Sequence, residues 1–182
     1  MAQSITTTKR LTASLSVLEG QGSKMMDATE VYVLCDSRSA NIAMRFLNAC
    51  LPSRRQLAEE YPFPEFVDDP VQTFQTPEDL MQRLEQDENE SYSIYWDAEN
   101  ADGPRQAMLF YTEDGAMIAG VGGPESSLDK TIAFIAEQVR GRFGFVTSGS
   151  CPPETVDEFK RICGESTLVN LYEWQLRNSP PA

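Results

Sequence analysis

The chain has 182 residues, a formal net charge of −13 and no histidine. This length sets the expectation of one domain with a tail, and a hydrophobic content of 41% is enough to build a core. The missing histidine excludes Ser-His-Asp and Cys-His catalysis, histidine general bases and histidine-ligated metals.

The four cysteines are Cys35, Cys50, Cys151 and Cys163. No two have C-x2–4-C spacing, so they read as small buried hydrophobes rather than zinc ligands. No metal or cofactor is expected. No apolar run approaches the ~18 residues of a membrane span. The Ser/Thr-rich start lacks the apolar core of a secretory signal. The expectation is a cytoplasmic protein with no membrane partner.

Taken in order, residues 1–28 read as a flexible tail, 29–177 as one domain and 178–182 as a frayed end. Glu30–Cys35 (EVYVLC) is a buried strand. Asp36 to Ser39 offers polar caps to a following helix with Ile42, Ala43, Phe46, Leu47 and Cys50 on one face. The polar loop lies at a strand's C-terminal end, where α/β folds often bind ligands. Asp36 and Arg38 are therefore the candidate ligand-binding pair of an alternative reading, with helix capping as the plainer role. Ser53–Asp69 reads as irregular, and its YPFPEF stretch (Tyr61–Phe66) is expected to lay rings over the core edge. Pro70–Gln75 is a strand candidate. Thr76-Pro77-Glu78-Asp79 is a helix start with its N-cap, N1 proline and first-turn acids in place.

Ser91–Gly123 reads as an antiparallel meander of three strands. Asp114-Gly115 is expected to form a two-residue type I′ turn. That pairs residue 112 with 117, 110 with 119 and 108 with 121. One face would carry Leu109, Tyr111, Ala116 and Ile118, and the other Met108, Phe110, Met117, Ala119 and Val121. Neither face is polar, so either both are covered or one meets a partner. Gly120-Val121-Gly122-Gly123 has the look of a phosphate-binding turn but lacks the G-x-G-x-x-G spacing, and a tight strand exit explains it. A helix follows, opened by Ser126 and carrying Leu128, Ile132, Ile135, Ala136 and Val139, with Gly141 at C′. Phe143–Thr147 is a strand. Pro153 introduces a last helix with Val156, Phe159, Ile162 and Cys163. Thr167–Arg177 fits helix or strand, with β propensity favouring strand. The fold class is α+β (mixed α/β): a single domain with a central antiparallel meander packed by about four helices.

The charge is uneven. Between Gln56 and Asp114 there are sixteen acids against two bases, Arg83 and Arg105, a balance of −14. The remainder carries 12 acids and 13 bases, or +1. Such a field repels nucleic acid and anionic membranes and attracts basic partners, although solubility alone is the simpler reason for it. Tyr95, Asp97, Glu99, Asp102, Glu113 and Asp114 are the candidate partner-binding residues. The two turns of a meander lie at opposite ends, so these acids form two tips rather than one carboxylate nest. Ser150 and Cys151 lack a visible base, and no catalytic residue is assigned.

The pattern AMLFYTEDGAMIAG, preceded by YSIYW and followed by RFGFVTSGSCPPETVDEFKRI, resembles small acidic immunity proteins of bacterial polymorphic toxin systems. The resemblance lies in layout and hairpin, over about residues 30–165. It implies a non-enzymatic protein that blocks a toxin by binding it, often through acidic surface, and it carries over no catalytic residue. The expectation is an immunity-type inhibitor of a basic toxin or enzyme, monomeric or weakly dimeric. The alternatives are a small-ligand-binding enzyme at Asp36 and Arg38, or a structural, oligomerising module.

Overall fold

A computed structural model describes residues 29–100, 103–123 and 128–165 of the chain. The expected tail of residues 1–28, the expected helix cap at Ser126, the ambiguous 167–177 segment and the expected frayed end 178–182 lie outside the described residues. In chain order the elements are β1 (Thr29–Leu34), α1 (Ala40–Cys50), β2 (Arg54–Gln56), β3 (Tyr61–Phe63), β4 (Gln72–Phe74) and α2 (Pro77–Gln86). They continue with β5 (Tyr92–Ala98), β6 (Gln106–Tyr111), β7 (Met117–Gly123), α3 (Leu128–Val139), β8 (Phe143–Ser148) and α4 (Val156–Glu165).

The main sheet has six strands in the order β2-β5-β6-β7-β1-β8, and every neighbouring pair is antiparallel. The meander β5-β6-β7 forms its middle, as the sequence suggests. The first strand of the domain is inserted between β7 and β8. Together with the four helices this is a mixed α+β domain.

The helices form where capping and apolar spacing agree. Ser39 caps α1 by accepting the Asn41 N–H at 3.3 Å, and Ala43, Phe46, Leu47 and Cys50 are its buried stripe. Thr76 caps α2 by accepting the Asp79 N–H at 3.2 Å, with Pro77 in the first turn. Leu80, Met81 and Leu84 are buried beneath it. Ile132, Ile135, Ala136 and Val139 anchor α3. These three helices cover one sheet face, against Tyr92, Ile94, Trp96, Leu109, Tyr111 and Met117. Each large apolar side chain so buried contributes about 1.5–3 kcal/mol. Helix α4 lies on the other face, over β8.

Two local expectations are corrected. The α3 C-terminus turns one residue earlier than Gly141: Arg140 takes the left-handed conformation (φ 54°) and the Gly141 N–H reaches the Ala136 carbonyl at 2.9 Å. Gly141 is still required, for space. A Cβ there would lie 2.4 Å from Val33 Cγ1 and 2.6 Å from the Leu34 carbonyl oxygen.

The second correction is larger. The β6-β7 loop has three residues, not two. Thr112 and Ala116 close it, the Thr112 N–H reaching the Ala116 carbonyl at 3.0 Å. Gly115 has φ 85° while Asp114 has no positive φ, so the turn is not type I′. It is a tight turn followed by a left-handed glycine. The register moves by one residue: Phe110 pairs with Ile118 and Tyr111 with Met117. A one-residue slip exchanges the faces of a whole strand. Met117, Ala119 and Val121 therefore join Leu109 and Tyr111 under the helices. Ile118 and Gly120 join Met108 and Phe110 on the second face.

The Ser53–Asp69 stretch is more ordered than its sequence suggests. Arg54, Arg55 and Gln56 pair with Ala98, Asp97 and Trp96 as a short edge strand. Tyr61–Phe63 pairs with Gln72–Phe74 as a separate two-stranded ribbon. Tyr61 and Phe63 are buried, as expected of rings draped on the core, whereas Phe66 is 92% exposed.

Candidate functional site

Arg38 is buried, at 5% exposure. Its Nε donates to the Leu84 carbonyl at 2.6 Å. Nη1 donates to the carbonyls of Thr112 (2.7 Å) and Glu88 (3.3 Å). Nη2 donates to those of Asp87 (2.9 Å) and Glu90. A guanidinium has five N–H donors, and here every one meets a backbone carbonyl. The Tyr111 ring lies 5.0 Å from the guanidinium carbon. Burial pulls the Arg38 pKa below its ordinary value. The residue clamps the α2-β5 connection to the end of β6, and no N–H is left for a bound anion. Asp36 is exposed beside it. The helix cap falls to Ser39.

A cleft of about 270 Å³ opens on the second sheet face, over β5 and β6. Its floor is Ser93, Tyr95 and Phe110. The Tyr95 and Phe110 rings meet edge to face, 5.6 Å between centroids. They start an aromatic row that continues through Tyr32 (5.8 Å) and Phe145 (5.6 Å) to Phe159 of α4 (5.0 Å). Helix α4 covers the far end of this row, and Tyr95 and Phe110 remain half-buried at the near end. One wall is the loop Cys151–Glu154. The other is Glu65 and Phe66, after the β3 strand.

Glu65 is held by the sheet itself. Strand β2 pairs only with Trp96, Asp97 and Ala98. The Ser93 N–H, further along the same edge, donates instead to Glu65 Oε2 at 2.9 Å. The carboxylate thus stands where a strand carbonyl would. Desolvation raises the Glu65 pKa to about 7, against the Ser93 hydrogen bond, which lowers it. Burial also raises the pKa of Tyr95, and that of Tyr92, where Glu65 adds to the effect. Glu65, Glu113 and Glu154 are the charged residues of the lining, and no basic side chain lines it.

The residues singled out from sequence divide between places. Tyr95 and Glu113 line the cleft. Asp114 builds its wall: Oδ1 accepts the Thr112 hydroxyl at 2.5 Å, and Oδ2 accepts the Val156 N–H at 2.7 Å, at the start of α4. A carboxylate at that position also meets the positive end of the helix. Asp97, near the end of β5, and Glu99, at the start of the β5-β6 turn, lie at the opposite end of β6. There Asp97 pairs with Arg55 at 3.1 Å, and the Glu99 N–H reaches the Ser53 carbonyl. Asp102 lies outside the described residues. Glu65, Phe66 and Glu154 were not legible as site residues. Only the fold brings positions 65, 93, 113 and 154 together, and no spacing along the chain signals it.

Comparison with protein-family models, with curated proteins and with solved structures finds no match. No helix among the described residues is long and apolar enough to cross a membrane. Fold and cleft define a class by geometry: an α+β domain whose sheet is covered on one face and half open on the other.

Proposed function

We propose that the chain is a non-enzymatic binding protein of the immunity type, which blocks a basic toxin or enzyme through its acidic surface. The observation that carries this reading is where the acids stand. The −14 segment contributes Glu65 and Glu113 to the one aromatic cleft described above, and no base lines that cleft. Exposed Leu57, Phe66, Val67 and Val71 come from the same segment. Apolar side chains among acids suit a docking rim: charge steers the encounter and the rings supply contact area.

The test is affinity capture of partners from the native host at about 50 and 300 mM salt. The reading expects an enriched basic protein, captured less well at the higher salt. That protein should be harmful when expressed alone and harmless when co-expressed with this chain. Capture of no basic protein, or capture indifferent to salt, overturns the reading.

A further inference from the structure

We propose that the cleft over β5 and β6 is a receptor for an arginine side chain, presented by the basic partner and stacked on Tyr95 and Phe110 between Glu65, Glu113 and Glu154. The inference rests on the binding reading above and assigns that reading to one place on the molecule.

Three observations converge. The floor is aromatic and half-buried, so ring surface of Tyr95 and Phe110 reaches the cleft, where a planar cation can stack. The charged lining is entirely acidic, and its carboxylates stand on three different loops around that floor. A cleft of about 270 Å³ is of the size that holds a side chain rather than a folded element. Arginine suits it better than lysine, because a guanidinium is planar, stacks on rings and forks onto carboxylates.

The rim supports the same assignment. Phe66 has φ 62°, a conformation that L side chains adopt at a cost, and it carries a ring that is 92% exposed. Among the described residues, nothing packs over that ring. It borders the cleft, so a partner whose arginine enters would cover it. Glu65 is also raised toward neutrality, facing Tyr92 and Tyr95 from β5 and sharing the cleft with Glu113, Glu154 and Cys151. A cation arriving there favours the ionised carboxyl. Binding should therefore tighten between about pH 6 and pH 8.

The experiment is a titration of the isotopically labelled full chain with the peptide acetyl-Gly-Arg-Gly-amide, followed by amide chemical shifts at low ionic strength. Matching peptides carry lysine or uncharged citrulline in place of arginine. The expected result is saturable binding on the order of millimolar, with shifts centred on Ser93, Tyr95, Glu113 and Glu154. Lysine should bind several-fold more weakly and citrulline should not bind. The double variant Glu113→Gln, Glu154→Gln should weaken the arginine peptide by about threefold to tenfold. Both residues are exposed, so this variant keeps the fold. Tyr95→Leu should narrow the preference for arginine over lysine. Shifts spread over the whole acidic surface without saturation, equal binding of citrulline, or no binding at tens of millimolar peptide would each overturn the assignment. The two readings fail separately. A basic partner captured as well by the double variant as by the natural chain removes the cleft and leaves the binding function. A saturable arginine site with no basic partner in the host does the reverse.

Discussion

Glu65 offers a sharp test of how the cleft is built. Its carboxyl stands at about 7 in the fold against an ordinary 4.5, and the main cause is desolvation. The folded chain therefore holds a proton up to about pH 7 that the unfolded chain releases near 4.5. Between these values the folded state binds more protons, so stability falls as pH rises through the window. Below it Glu65 carries no penalty, and above it the penalty is complete. The displacement corresponds to at most about 3 kcal/mol, less where solvent reaches the group. Glu65→Gln removes the titration and keeps an oxygen to accept the Ser93 N–H. Urea denaturation of both proteins from about pH 5 to pH 8 isolates the effect, because every other carboxyl cancels in the difference. The variant should gain on the natural chain as pH rises. The gain should approach the bound above, or a melting difference on the order of 10 °C at most. A difference that stays flat across the window, or that shrinks as pH rises, refutes the burial and the placement of Glu65 on the β5 edge.

Two further predictions probe the frame that holds the cleft. Arg38→Lys replaces five forked donors by three on one nitrogen, so at least two of the carbonyls of Leu84, Asp87, Glu88, Glu90 and Thr112 lose a partner. It should lower stability by about 2–4 kcal/mol, read as a shifted urea midpoint at unchanged slope, and a loss below about 0.5 kcal/mol would mean the clamp is dispensable. Gly141→Ala drives a Cβ toward Val33 and the Leu34 carbonyl and should cost about 1–3 kcal/mol, seen as a lower melting temperature; an unchanged melting temperature would refute the close approach of α3 to β1.

Helices α1 and α2 were legible because two independent signals coincide in each, whereas the last helix starts not at Pro153 but at Val156, after Thr155, whose hydroxyl accepts the Glu158 N–H at 3.4 Å. Thr76-Pro77 marks where α2 begins, and Leu80, Met81 and Leu84 show which way it faces. The meander was legible from β-rich runs and turn residues. Strands β2 and β3 were not, because three residues are too few to show a period. Arg54–Gln56 has no apolar residue, and Tyr61–Phe63 contains a proline that only an edge ribbon tolerates. The two ends of the cleft were half legible. Tyr95 and Glu113 stood out as an aromatic and an acid near a turn. Glu65 looked like one acid among sixteen, since its distinction is the Ser93 N–H and a low-dielectric surround, both products of tertiary structure.

The hairpin shows how one local choice reaches the site. Asp114-Gly115 does mark the turn, but the Thr112 hydroxyl bonds to Asp114 and accepts the Ala116 N–H at 3.0 Å, which closes a loop of three residues. With two residues, Met117, Ala119 and Val121 would share a face with Phe110. With three, Ile118 and Gly120 do. Gly120 is then the residue over which the Tyr32 ring lies, where a Cβ would stand 2.6 Å from that ring. Its missing side chain lets Tyr32 bridge Phe110 and Phe145, so the aromatic row runs unbroken from the cleft to α4. The same loop turns the Asp114 carboxylate onto the start of α4, 2.7 Å from the Val156 N–H. The support behind the floor and the wall of the cleft thus depend on one extra loop residue. Inserting one residue there would exchange the faces of β7 against β6 and put a side chain where Tyr32 now lies over Gly120, breaking the aromatic row behind the floor while leaving every acid in the chain.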